Sequence, residues 1–315
     1  MDNFLFSFNV VVPLFILMAA GYIAKYLKLI NDFFISEANK FVFRLAIPLM
    51  LFQNIRLTFY GDFSHNKLIV YSVIGIIAVI ILSFLIVPIF VKRPAQRGSI
   101  IQGIYRSNFL IYGIPLATGM YGKEAMGTIS LLMGTTIPIF NIAAVIILSI
   151  YSETKIKKPS VKEIAIDIVR NPLIIGCSLG IVFGLLKITF PIVIDKPMNE
   201  LAGIATPLAL FVMGGDFKFR KLKSNIWKVL STTLARLVIV PVLAISIFVL
   251  LGFRGLELSV LLCMFATPTA VSSYIMAKNM GCDSELAGQI VVLTTICSCV
   301  TIFLFIFVLR SMGHL

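Results

Sequence analysis

The chain has 315 residues, of which 59% are apolar and 13% charged, with a formal net charge of +13 and a mean hydropathy of +1.02. A soluble domain carries about 25% charged residues, so a soluble globular fold is excluded. The basic excess lies in short intervals between apolar runs, as membrane topology requires, and does not form a nucleic-acid footprint.

Apolar runs of about 20 residues, enough for a helix to cross a ~30 Å hydrocarbon core, recur along the chain. Ten spans are expected, roughly over 6–26, 33–55, 68–91, 100–120, 125–151, 172–188, 199–215, 225–252, 256–280 and 284–309. The opening MDNFLF lacks a basic stretch, so the first run reads as a retained span. The sizeable polar interval, SETKIKKPSVKEIAID, lies between the fifth and sixth runs and is too short for a domain. The expected organisation is therefore a first five-helix unit (1–151), a cytoplasmic connector (152–164) and a second five-helix unit (165–315).

The first, third, fifth, seventh and ninth loops carry sixteen Lys and Arg, against seven on the opposite side. That asymmetry predicts a multi-pass protein of the cytoplasmic membrane with the odd loops inside and both termini outside.

PLFILMAAGYIAKYLK from Pro13 matches PLIIGCSLGIVFGLLK from Pro172, and AIPLMLF from Ala46 matches ATPLALF from Ala205. Both pairs share an offset of 159 residues. Five spans, an odd number, separate the partners, so the second half enters the membrane from the opposite side. An inverted repeat of this kind is a ground plan of secondary transporters, with the substrate site at mid-membrane.

The fourth span has Gly113 and Pro115 near its middle, and its repeat partner, the ninth, has Pro268 in FATPTAVSS. Proline removes a backbone donor and clashes with the preceding turn. A broken helix is tolerated in lipid only inside protein or beside water. Each break supplies a half-helix N-terminus, and two of these at mid-membrane suit an anion such as a carboxylate. Asn108, two turns before Pro115, can donate to it. Thr267, Thr269, Ser272 and Ser273 flank the other break, and Tyr112, Gln53 and Asn54 complete the candidates.

The charged residues within spans are Arg44, Arg106 and Arg236. Arg106 reads equally as an anion guide or as a snorkelling anchor. No carboxylate occupies a span centre, which argues against cation exchange, and Asp216 and Glu37 lie near span ends. Two distant histidines make a His-based metal site improbable. Four of the five cysteines fall in apolar runs and read as small buried hydrophobes. No nucleophile–base pair is apparent, so neither enzyme activity nor a cofactor is expected.

NFLIYGIPLATGMYG from Asn108, NKFVFRLAIPL in the second span, RNP at Arg170–Pro172 and the Ala277–Lys278 pair resemble the auxin efflux carrier family over essentially the whole chain. The family includes the plant auxin carriers and short bacterial permeases. The resemblance implies an all-α polytopic fold of ten helices in two inverted five-helix repeats. Its fourth and ninth helices cross at their prolines, as in sodium/proton antiporters and bile-acid transporters. It implies movement of organic carboxylates by an elevator-like shift of one domain against another, often as a homodimer in membrane lipid. By position, Asn108 would contact substrate and Pro115 and Pro268 would form the crossover. The long hydrophilic loop of the plant carriers is absent, and the ninth span is more hydroxylated. A small di- or hydroxy-carboxylate therefore fits better than an indole acid. The alternatives are a bile-acid-type or cation-coupled carrier of the same fold, or an anion channel.

Overall fold

The computed structural model describes residues 2–58, 66–154, 160–217 and 219–315, with side chains described except at 2–11, 58, 66, 110, 114, 115, 123, 161 and 219–224. In chain order come α1 (Asp2–Tyr26), α2 (Asp32–Phe41), a π-helical turn (Val42–Ala46), α3 (Ile47–Thr58) and α4 (Asn66–Phe90). Next are α5 (Pro94–Tyr105), α6 (Phe109–Tyr121), α7 (Ala125–Tyr151), α8 (Val161–Arg170), α9 (Pro172–Leu185), α10 (Ile192–Gly203) and α11 (Ala205–Asp216). The chain closes with α12 (Phe219–Leu234), a second π turn (Ala235–Ile239), α13 (Val240–Leu250), α14 (Gly255–Ala266), α15 (Ser272–Asn279) and α16 (Ser284–Ser311).

Among the described residues, five stretches are individually long and apolar enough to cross a membrane: Lys67–Phe90, Ala125–Tyr151, Ile192–Asp216, Asn225–Leu250 and Ser284–Ser311. A sixth results if Lys162–Arg170 and Pro172–Leu185, bent by 63°, count as one span. The sequence of α4 has no polar face, and its outward residues Ile74, Ile81 and Phe90 are 55%, 51% and 80% exposed. A helix apolar on every side suits a lipid surround. The protein is a polytopic, all-helical membrane protein.

The other expected spans show why ten long helices are not seen as such. The fourth is divided between α5 and α6, and the ninth between α14 and α15. The second is a helix carrying a π turn. Both π turns end two residues before a proline, Pro48 and Pro241. A proline leaves the carbonyl four residues back without its donor, and widening the turn re-registers the ladder without breaking the helix. Part of the polar connector is itself helical: α8 starts with a capping box in which Ser160 and Glu163 bond each other's backbone N–H at 3.2 and 2.7 Å. Lys155, Lys157, Lys158 and Lys218 lie outside the described residues.

The helices pack as two bundles. The first joins α1 and α2 to α11, and α3 to α9 and α10; the second holds α4 to α7 and α12 to α16. Small residues set the α1–α11 distance. A Cβ on Gly21 would stand 1.9 Å from the Phe211 carbonyl oxygen, and one on Gly214 would stand 2.0 Å from that of Met18. No side chain fits there, so the backbones meet directly. Gly214→Ala is expected to force α1 and α11 apart at an overpacking cost of ~1–3 kcal/mol. It should lower the unfolding temperature of the detergent-solubilised protein by several degrees, and an unchanged transition would contradict this close contact.

Candidate functional site

The two interruptions in the second bundle meet. Residues 106–108 run antiparallel to 268–270 through a bridge between Ser107 and Thr269. Asn108 N–H donates to the Pro268 carbonyl at 2.8 Å, and Ala270 N–H donates to the Arg106 carbonyl at 3.0 Å. The Ser107 and Thr267 hydroxyls bond at 2.6 Å. Arg106 and Thr267, which cap α5 and α14, are extended, at φ/ψ −82/100° and −72/155°.

The ninth-span break falls at Pro268, as the sequence suggests. The fourth-span break does not fall at Gly113–Pro115. It lies at Arg106–Asn108, and Pro115 sits within α6, its side chain outside the described ones. The reason is pairing: a break is stable where another extended segment takes up its freed backbone groups. Gly113 serves packing instead, since a Cβ there would stand 3.0 Å from the Ile129 side chain of α7.

Four cut helix ends converge at this crossover. Arg236, 1% exposed in the second π turn, serves the two C-terminal ends. Its Nε donates to the Thr267 carbonyl at 2.9 Å and its terminal nitrogens to Met264 at 3.2 Å, Ile104 at 3.2 Å and Tyr105 at 3.4 Å. The Thr269 hydroxyl takes the Gly103 carbonyl at 2.7 Å. A guanidinium matches this task because it spreads its donors in a fixed fork and stays charged beside the negative ends of two helices.

The N-terminal ends of α6 and α15 face a small cavity of about 60 Å³ between the bundles, room for a few waters. Its second-bundle wall includes Arg106, Ser107, Asn108, Asn141 and Ser272, while Ile47, Met50, Leu51, Ala205, Thr206 and Ala209 of α3 and α11 form the opposite wall. Arg106 is 4% exposed, so it is no snorkelling anchor. It donates to Asn141 Oδ1 at 2.6 Å and contacts Met276 Sδ, and among the described residues no carboxylate pairs with it. Asn108 is 4% exposed and its Nδ2 has no partner among the described residues.

The other candidates divide. Ser272 lines the cavity; Ser273 is 1% exposed with an unpartnered hydroxyl, and it does not line it. The hydroxyls of Thr267 and Thr269 are committed to the crossover. Tyr112 turns away toward Thr295 and Ser298 of α16, without a bond of good geometry. Gln53 donates to Asp195 at 3.3 Å, beside the Arg56–Asp195 ion pair that ties α3 to α10. Asn54 does not line the cavity. Asn141 and Thr206 were not singled out in the sequence; an Asn in the apolar run TTIPIFNIAAV was the available signal. Arg44, in the first π turn, is exposed in a groove with Pro48, Gly176 and Phe183.

A crossover of cut helices beside a small cavity between two bundles is an arrangement that suits membrane transport. The family profile described as "Membrane transport protein" matches residues 6–306, and the chain belongs to that family, in agreement with the auxin efflux carrier motifs. It is 24% identical to an uncharacterized transporter of Methanocaldococcus jannaschii over 96% of this chain and 99% of that one. It is also 24% identical to a Rhizobium meliloti protein named provisionally as a malonate transporter, over 96% of each. Auxin efflux carrier component 8 of Arabidopsis thaliana is 32% identical over 128 residues, 36% of this chain and 33% of that protein. The protein is a transporter and not an enzyme.

Because Arg236, among the described residues, bonds only backbone carbonyls, Arg236→Met is expected to strip several buried acceptors of their donors, at ~1–3 kcal/mol each. Arg236→Lys should not restore them, since an ammonium lacks the fork. Expression and thermal stability in detergent would check this; a lysine variant as stable as the parent would overturn the account of the clamp.

Proposed function

We propose that the chain is a secondary transporter that moves small organic carboxylate anions, malate- or malonate-like or auxin-like, across the cytoplasmic membrane by elevator-type alternating access. The observation that carries this is Arg106, a buried guanidinium on the cavity wall with no carboxylate partner among the described residues. An unpaired buried charge is costly. An anion arriving between the N-termini of α6 and α15 offsets that cost, with the Asn108 amide as a further donor. The opposite wall is largely apolar, so one carboxylate docks at the crossover and the rest of the substrate lies against Met50, Leu51 and Ala209. The names of the Rhizobium and Arabidopsis relatives support the same substrate class.

The reading includes ten spans in two inverted repeats, 1–151 and 165–315 about the connector 152–164, with both termini outside. Three local features at the 159-residue offset support it. Lys28 and Lys187 end α1 and α9 with φ of 59° and 52°. Gly21 packs on the carbonyl of Phe211, and Gly180 on that of Phe52. Ile47 and Thr206, and likewise Met50 and Ala209, line the cavity as pairs. Each bundle draws helices from both halves, as a carrier whose halves exchange sides requires. A narrow cavity between two bundles fits an alternating carrier better than a continuous pore.

Solid-supported-membrane electrophysiology on proteoliposomes, with a panel of mono- and dicarboxylates and labelled-substrate uptake beside it, tests this. Saturable transport of at least one acid is expected. Arg106→Gln and Asn108→Ala should each cut it by about 10–100-fold, the worth of a charge-assisted or buried hydrogen bond, while leaving the folded fraction intact. Absence of both current and uptake across the panel, or undiminished transport in both variants, would overturn the assignment.

A further inference from the structure

Beside the cavity a weak contact, Asn141 Nδ2 to Cys177 Sγ at 3.6 Å, links α7 to α9 across the bundles. A stronger set of side-chain bonds joins the bundles at one end, away from the crossover. Asp216, the last residue of α11 in the first bundle, accepts from the Tyr274 hydroxyl at 2.8 Å and from the Lys278 ammonium, both on α15 of the second bundle. The Asp216 and Lys278 side chains are 21% and 27% exposed, so the pair is largely shielded. One residue further, Asn279 Nδ2 donates to Asn39 Oδ1 at 3.1 Å, with Asn39 on α2 of the first bundle and 2% exposed. Asn39 Nδ2 has no partner among the described residues.

Asp216 and Lys278 lie at the loop ends of α11 and α15, and Asn39 lies in the last turn of α2. Asp216 enters the seventh loop, Lys278 and Asn279 enter the ninth, and α2 follows the first. Those are the basic intervals assigned to the cytoplasm. The other bonds that shape the site have a different character. Arg236 and the crossover residues bond within the second bundle, and Arg56–Asp195 bonds within the first. Those can stay intact while one bundle moves against the other. The Asp216 and Asn39 contacts, like the weaker Asn141–Cys177 contact, cannot.

α15 carries both ends of the connection. Its N-terminus, at Ser272, forms the cavity wall, and its last turn holds Lys278. A displacement of α15 that opens the cavity toward the basic side must pull Lys278 from Asp216.

We propose that Asp216, Tyr274 and Lys278, reinforced by Asn39 and Asn279, form a cytoplasmic latch that holds the two bundles together and breaks for the cavity to open inward. This rests on the transporter reading for its purpose, on the geometry for its position between the bundles, and on the loop-charge asymmetry for its side of the membrane. Asp216 and Lys278 act here as positioning residues; neither touches the cavity.

The test places a reporter thiol in the cavity at Ala209→Cys, in a chain whose native cysteines are replaced. The rate of alkylation by a membrane-impermeant maleimide is measured in inside-out and in right-side-out vesicles. Asp216→Asn should raise labelling from the face carrying the seventh and ninth loops by about tenfold or more, which corresponds to ~1.4 kcal/mol. Tyr274→Phe, which keeps the ion pair, should raise it less. The exchanged pair Asp216→Lys with Lys278→Asp should return labelling toward the parent rate, a rescue that a general loosening would not give. Unchanged labelling in Asp216→Asn, or an equal rise from both faces, would overturn the latch. Because no substrate enters this measurement, a latch confirmed without any carboxylate transport would leave the latch standing and remove the proposed cargo.

Discussion

The structure depends on the backbone pairing between residues 106–108 and 268–270. Interrupting a helix in a membrane leaves several N–H and C=O groups without water or intrahelical partners. Here two interruptions supply each other. Asn108 and Pro268, Ala270 and Arg106 exchange main-chain hydrogen bonds, and Thr269 and Arg236 take carbonyls of the last turns of α5 and α14. Either break alone would be costly; together they form a fixed point around which the second bundle is built.

That arrangement is asymmetric in charge. The negative ends of α5 and α14 share one guanidinium, Arg236, that is wholly engaged with carbonyls. The positive ends of α6 and α15 face the cavity, where Arg106 bonds only neutral groups, Asn141 and Met276. The two buried arginines thus divide the work. One neutralises the protein's own dipoles, and the other leaves net positive potential directed at the cavity. A carboxylate, the cargo proposed above, would complement that site, and the apolar wall of α3 and α11 would complement what the carboxylate is attached to.

Much of this was legible in the sequence because repetition survives where chemistry is monotonous. Pro13 and Pro172, Gly21 and Gly180, and Lys28 and Lys187 keep one offset, and the structure gives the glycines and lysines matching backbone tasks. Pro268 marked its break correctly, since the peptide around it is extended. Pro115 misled by seven to nine residues: a proline reports a missing donor, whereas a break is set by the segment that pairs with it, which lies 160 to 164 residues away. Asn108 was singled out for its spacing to Pro115, and it lies at the break itself. The arginines were ambiguous for a related reason. Their type and depth are visible in sequence, but only the fold distinguishes Arg236, bonded to four carbonyls, from Arg106, open to a cavity. Tyr112 and Gln53 look equally polar in the sequence, and the fold turns one toward α16 and commits the other to Asp195.

The central claim is that the anion docks where the crossover presents Arg106 and Asn108. A cryo-electron-microscopy map of the protein saturated with a carboxylate that it transports tests this most directly. The account predicts density for the carboxyl group within hydrogen-bonding reach of the Asn108 amide and the Arg106 guanidinium, between the first turns of α6 and α15. Density against Arg56 in the α3–α10 cluster, or an empty crossover at saturating substrate, would contradict it.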